Sequence, residues 1–325
     1  MRVVVIGATG HIGGYLIPRL VNSGHEVVAL SRNAKPRYRD DASWDRVTNL
    51  TIEREASEEA GSFGRYVASL EPDAVIDLIC FEPASALQLL EALRSRRTYL
   101  LHCGSVWVHG PSTVVPTRED APRRPFGHYG EAKAALEELL LEESRGGGVP
   151  AAVLHPGHIV GPGWVPLNPA GNFELSVFER LAAGEELALP NFGMETVHHV
   201  HADDVAQAFA LALEHQGASA GESFHVVSER AVTLRGYAEA IASYFGKPSH
   251  LSFVAWDIWR DSVGPVAAES TWDHIAHSPS VSIEKARRLL GYSPRYTSLE
   301  AVEESLSWLV ANGTLRAGGP GPQSS

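Results

Sequence analysis

Cysteine is nearly absent: Cys80 and Cys103 are the only two in 325 residues. Two thiols cannot form the disulfide framework of a small secreted fold, so a reducing, cytoplasmic setting is expected, with both as small buried hydrophobes. Long apolar runs are missing too. None approaches the roughly 18 residues of a membrane span, and glycines break the apolar start of MRVVVIGATG after about four residues, too soon for a signal peptide. Positive charge is scarce: 27 Lys and Arg stand against 39 Asp and Glu, a net charge of -12. Without a basic surface a nucleic-acid partner would be repelled, so none is expected, and no membrane partner either. No internal repeat is visible. The 15 histidines lack companion Cys, Asp or Glu residues at zinc spacing. His199 and His201 could share a strand face but have no third ligand nearby, so no metal is expected.

What is present is an ordinary globular composition, 44% hydrophobic and 20% charged, long enough for one or two domains. The first half alternates β-branched runs with amphipathic stretches, the pattern of a parallel sheet covered by helices. Strands are predicted at 2–6, 26–30, 50–52, 74–79, 98–102 and 151–154, and helices at 12–23, 64–70, 84–95 and 129–144. The Gly- and Pro-dense segment HPGHIVGPGWVPLNPAGNF reads as a long functional loop. Beyond it lie predicted helices at 175–183, 203–214, 234–245, 283–290 and 299–311, with strands at 197–200 and 223–227. The fold class is therefore α/β: a Rossmann-type doubly wound parallel sheet with a smaller, mostly C-terminal substrate lobe. Residues 1–158 and about 196–228 would form the dinucleotide-binding domain, about 159–195 and 229–315 the lobe, and 316–325 a flexible tail.

VVVIGATGHIGGYL sets Gly7, Gly10 and Gly13 between a strand and a helix. Side chains there would block the sharp turn and keep backbone N–H groups from a pyrophosphate at the positive helix end. Thr9, His11 and Ile12 belong to the same turn. GHYGEAK places Tyr129 and Lys133 at i and i+4 on one helical face. A phenol is a poor acid–base at neutral pH, and an ammonium one turn away favours the phenolate while leaving a donor for a ribose.

These motifs, at this separation, resemble the extended short-chain dehydrogenase/reductase superfamily, in its NAD-dependent epimerase/dehydratase-like branch. The resemblance runs from residue 1 to about 310 and implies an NAD(P)-dependent enzyme. Aligned on Gly110, LLHCGSVWVHG puts Ser105 at the family's catalytic Ser/Thr, completing a set with Tyr129 and Lys133 that interconverts a carbonyl and an alcohol. The resemblance implies cofactor contacts from Leu78, Ile79 and Cys80 at the end of the fourth strand, and from Pro156 and His158 in HPGHIVGPG. The second strand, which usually ends in an Asp that binds the NAD ribose, here ends in Ser31 followed by Arg32. That favours NADP(H), with NAD(H) as the alternative. Lys35 and Arg37 in the same loop add positive charge. Glu53 or Arg54 borders the adenine in a looser carry-over.

Three departures bear on the substrate. Val197 stands where nucleotide-sugar enzymes carry a diphosphate-gripping Arg, His155 and His158 replace the Arg and Asn of the lid motif, and Ser105 is followed by Val106 and Trp107 where 4,6-dehydratases have Asp-Glu. Dehydration is therefore not expected. Trp107, His109, His128, His155, Trp164 and His199 are expected along the substrate cleft, although each histidine taken alone is more often a packed, neutral side chain. Asp203 and Asp204 are read as helix caps. The leading function is an oxidoreductase for a small-molecule or sugar-like substrate. The alternatives are a nucleotide-sugar epimerase with retained NAD and, since VIDLICFEP resembles chloroplast RNA-binding relatives, a regulatory or RNA-binding protein. A homodimer through the helices at 84–95 and 129–144 is implied by the resemblance.

Overall fold

Runs that are apolar on both faces can only be central strands of a covered sheet. The first half of the chain uses them so in the computed structural model, which describes residues 1–32 and 39–317. In chain order the elements are β1 (Arg2–Ile6), α1 (His11–Asn22), β2 (Glu26–Ser31), β3 (Thr48–Thr51), α2 (Arg54–Glu59), α3 (Phe63–Ser69), β4 (Ala74–Asp77), α4 (Pro83–Leu93), β5 (Tyr99–Cys103), α5 (Gly127–Arg145) and β6 (Ala151–Pro156). There follow β7 (His158–Val160), α6 (Leu175–Ala183), β8 (Glu186–Pro190), β9 (Thr196–Val197), β10 (His199–His201), α7 (Ala202–Glu214), α8 (Gln216–Ser219), β11 (Ser223–Val226), β12 (Val232–Thr233), α9 (Leu234–Tyr244), β13 (His250–Val254), α10 (Trp256–Ser262), α11 (Pro265–His277), α12 (Glu284–Leu290) and α13 (Ser298–Ala311).

Seven parallel strands form one sheet in the order β11-β6-β5-β4-β1-β2-β3. Alternate residues of β1 serve opposite layers: Val3 and Val5 pack with Leu16, Leu20 and Phe209 of α1 and α7, and Val4 and Ile6 with Leu89, Leu90, Leu136 and Leu140 of α4 and α5. The strand order reverses between β1 and β4, and the carboxyl ends there leave the crevice in which this topology binds ligands. A third apolar cluster, built on Phe178, Leu181, Leu189, Tyr237, Ile241, Val302 and Leu306, holds the second lobe together.

Within the predicted Gly/Pro loop, β7 pairs in parallel with β10, tying the lobe to the edge of the crevice. The parallel pair β8 and β13 and the helices α2, α10 and α11 were not anticipated. Residues 186–190 and 250–254 are short and find each other across some sixty residues, with no local turn to betray the pairing. Among the described residues no helix is long and apolar enough to cross a membrane. The predicted cations Lys35 and Arg37 and the tail from 318 onward lie outside the described residues.

Candidate active site

The crevice begins at the glycine turn. Gly7 has φ +84°, a conformation that side chains disfavour, and the N–H groups of Gly7 and Ala8 both donate to Leu30 O of β2, at 3.0 and 3.3 Å. A Cβ at Gly13 would lie 2.0 Å from Ala8 O, so no larger residue lets α1 follow the turn this closely. Among the described residues no side chain caps α1 at Gly10, and its first turn opens onto the crevice. This cradle fits a dinucleotide pyrophosphate. Ser31 ends β2 and Arg32 beyond it is exposed, and neither position supplies a carboxylate.

Across the switch point, β4 and β5 end at the base of α5. Lys133 is 1% exposed, and its ammonium donates to Cys80 O and Cys103 O, both at 2.7 Å. Two carbonyls thus anchor it between the strand ends, and burial lowers its pKa from the ordinary lysine value. Tyr129, one turn earlier, keeps a ring edge in solvent (42% exposed). Its hydroxyl, however, sits in the crevice, where burial and the nearby Cys103 push the phenol up to about 12 against the opposing effect of a hydrogen bond with Ser105. Ser105 opens the short 3-10 turn Val106–His109, its Oγ accepting from Trp107 N–H at 3.3 Å. Ser105, Tyr129 and Lys133 are therefore brought together at the carboxyl edge of the sheet.

Around them stands an aromatic wall. Trp107 meets Tyr129 edge-on at 5.6 Å and stacks on His277 at 4.1 Å, with Phe126 on the other face of that imidazole at 4.0 Å. His274 touches Trp107, Phe173 and His158. Burial lowers the pKa of His158, His274 and His277, so the wall is neutral. Phe81 lies under the Lys133 ammonium at 4.7 Å. Phe81, Phe126, Phe173, His274 and His277 were missed by sequence reading. The last two come from α11, more than 140 residues past Tyr129, and nothing in its sequence connects that helix to the crevice.

Among the predicted substrate contacts, Trp107 lies beside Tyr129, and Trp164 stacks on His11 of the glycine turn at 4.9 Å. Three others require correction. His109 is buried and faces His225, Nε2 to Nε2 at 2.7 Å. His199 is enclosed in the lobe, with Nε2 on Leu167 O at 3.1 Å and its ring against Tyr237. His155 is 0% exposed and lies beneath Ser105 rather than in the crevice. Packing claims these imidazoles: all three are buried side chains. His128 points outward to Glu82 at 3.1 Å, on the rim. Val197 is buried in the apolar cluster of the lobe.

Among the predicted cofactor contacts, Leu78, Ile79 and Cys80 continue β4 toward the crevice, and the Ile79 side chain packs against Gly7. Pro156 ends β6 and His158 opens β7. Arg54 turns inward, giving a bidentate pair with buried Asp77 at 2.8 and 2.9 Å and a further bond to Glu58 at 2.6 Å. Asp77 in turn accepts from Ile79 N–H at 3.2 Å, which shapes the β4 end. Asp203 takes Arg19 and Arg295, while Asp204 accepts from Arg295 N–H and Tyr296 N–H. The α7 cap itself is His201, whose Nδ1 accepts from Asp203 N–H at 3.0 Å. No group of three or more His, Cys, Asp or Glu among the described residues converges as metal ligands would.

The sequence profile of the NAD dependent epimerase/dehydratase family matches residues 3–226. A chloroplast stem-loop binding protein of 41 kDa from Arabidopsis thaliana is 27% identical over 97% of this chain and 81% of its own. A 2'-dehydrokanamycin reductase from Streptomyces kanamyceticus is 29% identical over 76% of this chain and 68% of its own. A dTDP-6-deoxy-L-talose 4-dehydrogenase from Kitasatospora kifunensis is 27% identical over 93% and 94%. The fold is that of the UDP-glucose 4-epimerase of Thermotoga maritima, with a TM-score of 0.72 at 19% identity over 96% of this chain and 99% of that one.

Proposed function

The chain belongs to the NAD dependent epimerase/dehydratase family, and from that membership we propose an NADP(H)-preferring oxidoreductase that interconverts a carbonyl and an alcohol. The observation that carries this reading is the Lys133 ammonium held by two strand-end carbonyls, one helical turn past Tyr129 and beside the turn that Ser105 opens. When bound, the cofactor would supply or accept the hydride. Ser105 Oγ and the Tyr129 hydroxyl would hold the substrate oxygen, and Tyr129 would pass the proton. Lys133 would lower the cost of the phenolate and bind the nicotinamide ribose through its remaining donor. The cradle at Gly7, Thr9, Gly10, His11, Ile12 and Gly13 would hold the pyrophosphate, and Arg32 the 2'-phosphate.

The substrate would lie between the aromatic wall and the lobe of residues 159–195 and 229–315. The relatives that reduce or oxidise sugar carbonyls support a sugar-like or other small substrate. An epimerase would retain its NAD and leave free cofactor unchanged, so the absorbance of NADPH during turnover separates the two. Tyr129→Phe should abolish turnover while cofactor affinity stays within about twofold, whereas Lys133→Ala should damage both. Near-normal activity of the Phe variant would overturn the assignment. We extend the reading to a cytoplasmic homodimer paired through α4 and α5, where the small Ala134 and Ala135 permit close approach. A monomeric mass by light scattering would refute it. A second reading, RNA binding, is favoured only by the likeness to the stem-loop binding protein. An electrophoretic shift retained in Tyr129→Phe would support it.

A further inference from the structure

Beneath Ser105 lies a buried polar chain that the proposed chemistry does not use. Ser105 N–H donates to His155 Nδ1 at 3.0 Å, so that nitrogen is bare and the ring proton sits on Nε2. Nε2 lies 3.1 Å from Glu137 Oε1, bent away from the ideal hydrogen-bond line. Arg123 grips both oxygens of that carboxylate, at 2.7 and 2.5 Å. Burial would raise the Glu137 carboxyl, but His155 and Arg123 together hold it well below the usual carboxylate range. Gly104 makes the arrangement sterically feasible, since a Cβ there would lie 2.4 Å from His155 Nδ1. Of the other ionisable groups around the ring, His102 of β5, His109 and His225 of β11 are held neutral by burial, and burial raises the Glu119 carboxyl.

Glu137 sits on α5, one turn past Lys133 and two past Tyr129. The imidazole therefore joins the Ser105 backbone to the helix that carries the other two members of the set. We propose that His155 is a positioning residue that, with Glu137, clamps the Ser105 backbone against α5 and so fixes Ser105 Oγ against the Tyr129 hydroxyl. This rests on the Ser-Tyr-Lys reading above. A full-length imidazole under an amide, with its far nitrogen on a carboxylate, is more than packing requires at a 0% exposed site.

Two substitutions divide the ring. In His155→Asn the side-chain oxygen stands near the Nδ1 position and still accepts from Ser105 N–H. In His155→Gln the amide reaches toward Glu137 and leaves Ser105 N–H without an acceptor. Amide exchange of Ser105 in 15N-serine-labelled protein needs no substrate. Exchange should accelerate at least about tenfold in the Gln variant and stay near wild type in the Asn variant. With NADPH and an aryl 1,2-diketone as probe, kcat should fall about tenfold in the Gln variant, with NADPH Kd within twofold, and much less in the Asn variant. Equal losses in both variants, tracking their loss of Tm, would overturn the clamp, as would unchanged Ser105 protection in the Gln variant. Should wild type turn over no carbonyl probe, the oxidoreductase reading fails, and the exchange comparison still decides the clamp. Should the Gln variant not fold, the 15N tautomer of His155 in wild type decides it: Nε2–H sustains the clamp and Nδ1–H refutes it.

Discussion

Acid should unfold this protein earlier than its carboxylates alone would suggest, because so many of its imidazoles are folded in as neutral groups. His198 is the clearest case. Its Nε2 donates to Ser228 O at 2.9 Å and its Nδ1 accepts from Val281 N–H at 3.3 Å, so both nitrogens are committed and a second proton has no place. Burial lowers His198, His199 and His11 to about 4 and His109 to about 3. An unfolded histidine titrates near 6.5, so at pH 5.5 the unfolded chain binds protons that the folded chain refuses. For each of the four the free-energy loss between pH 7.5 and 5.5 is about 1.4 kcal/mol. Together they remove on the order of 5 kcal/mol, comparable to the whole stability of many domains. The sign follows from the lowered folded values: this stability is present above pH 6.5 and is lost as pH falls from there toward 4. Calorimetric scans across pH 7.5 to 5.5 should show a steep fall in Tm, about 1.5 °C per kcal/mol for a chain of this length. These four alone should take up about three to four protons on unfolding at pH 5.5, and the other buried imidazoles add to that. His198→Asn should remove one histidine's share of the fall, about 1.4 kcal/mol between pH 7.5 and 5.5, whatever it does to Tm at pH 7.5. A Tm that stayed level from pH 7.5 to 5.5 would refute the assignment of neutral, buried imidazoles.

Other outcomes follow from single contacts. Asp77→Ala leaves the buried Arg54 guanidinium with Glu58 alone and should cost about 1–3 kcal/mol, while Arg54→Met with Asp77→Leu should recover part of it, as a double-mutant cycle in urea would measure. The single variant should also weaken NADPH binding, because the Ile79 N–H contact that shapes the β4 end goes with it. Gly13→Ala should abolish NADPH binding in a titration, since its methyl meets Ala8 O at 2.0 Å. Wild type should bind NADPH at least about tenfold more tightly than NADH at moderate salt, and Arg32→Ala should erase most of that gap. Equal wild-type affinities would show that Arg32 recognises no phosphate.

What the sequence made legible was whatever repeats locally. The glycine turn and the Tyr129–Lys133 pair each fit within one strand–turn–helix unit or one helical turn, and β1 was located to the residue because its apolar run has no other stable use. The pair β8 and β13 and the helix α11 lacked any such signature, since each depends on partners far along the chain. Histidines show the limit most sharply. His109 meets His225 across 116 residues and Ser105 meets His155 across 50, and no spacing rule could assign those pairings. An imidazole can touch a substrate, accept from a buried amide or stack in a core, so even a prior for packing does not say which of the three a given histidine does. Burial decides, and burial is set by the whole packing. His155 and His158 stand in one motif three residues apart, yet β6 drives the first beneath the serine while β7 turns the second toward the aromatic wall. The step between them is the sharp passage through Gly157, where a Cβ would lie 2.2 Å from His198 O, so the backbone at a residue without a side chain separates the two roles.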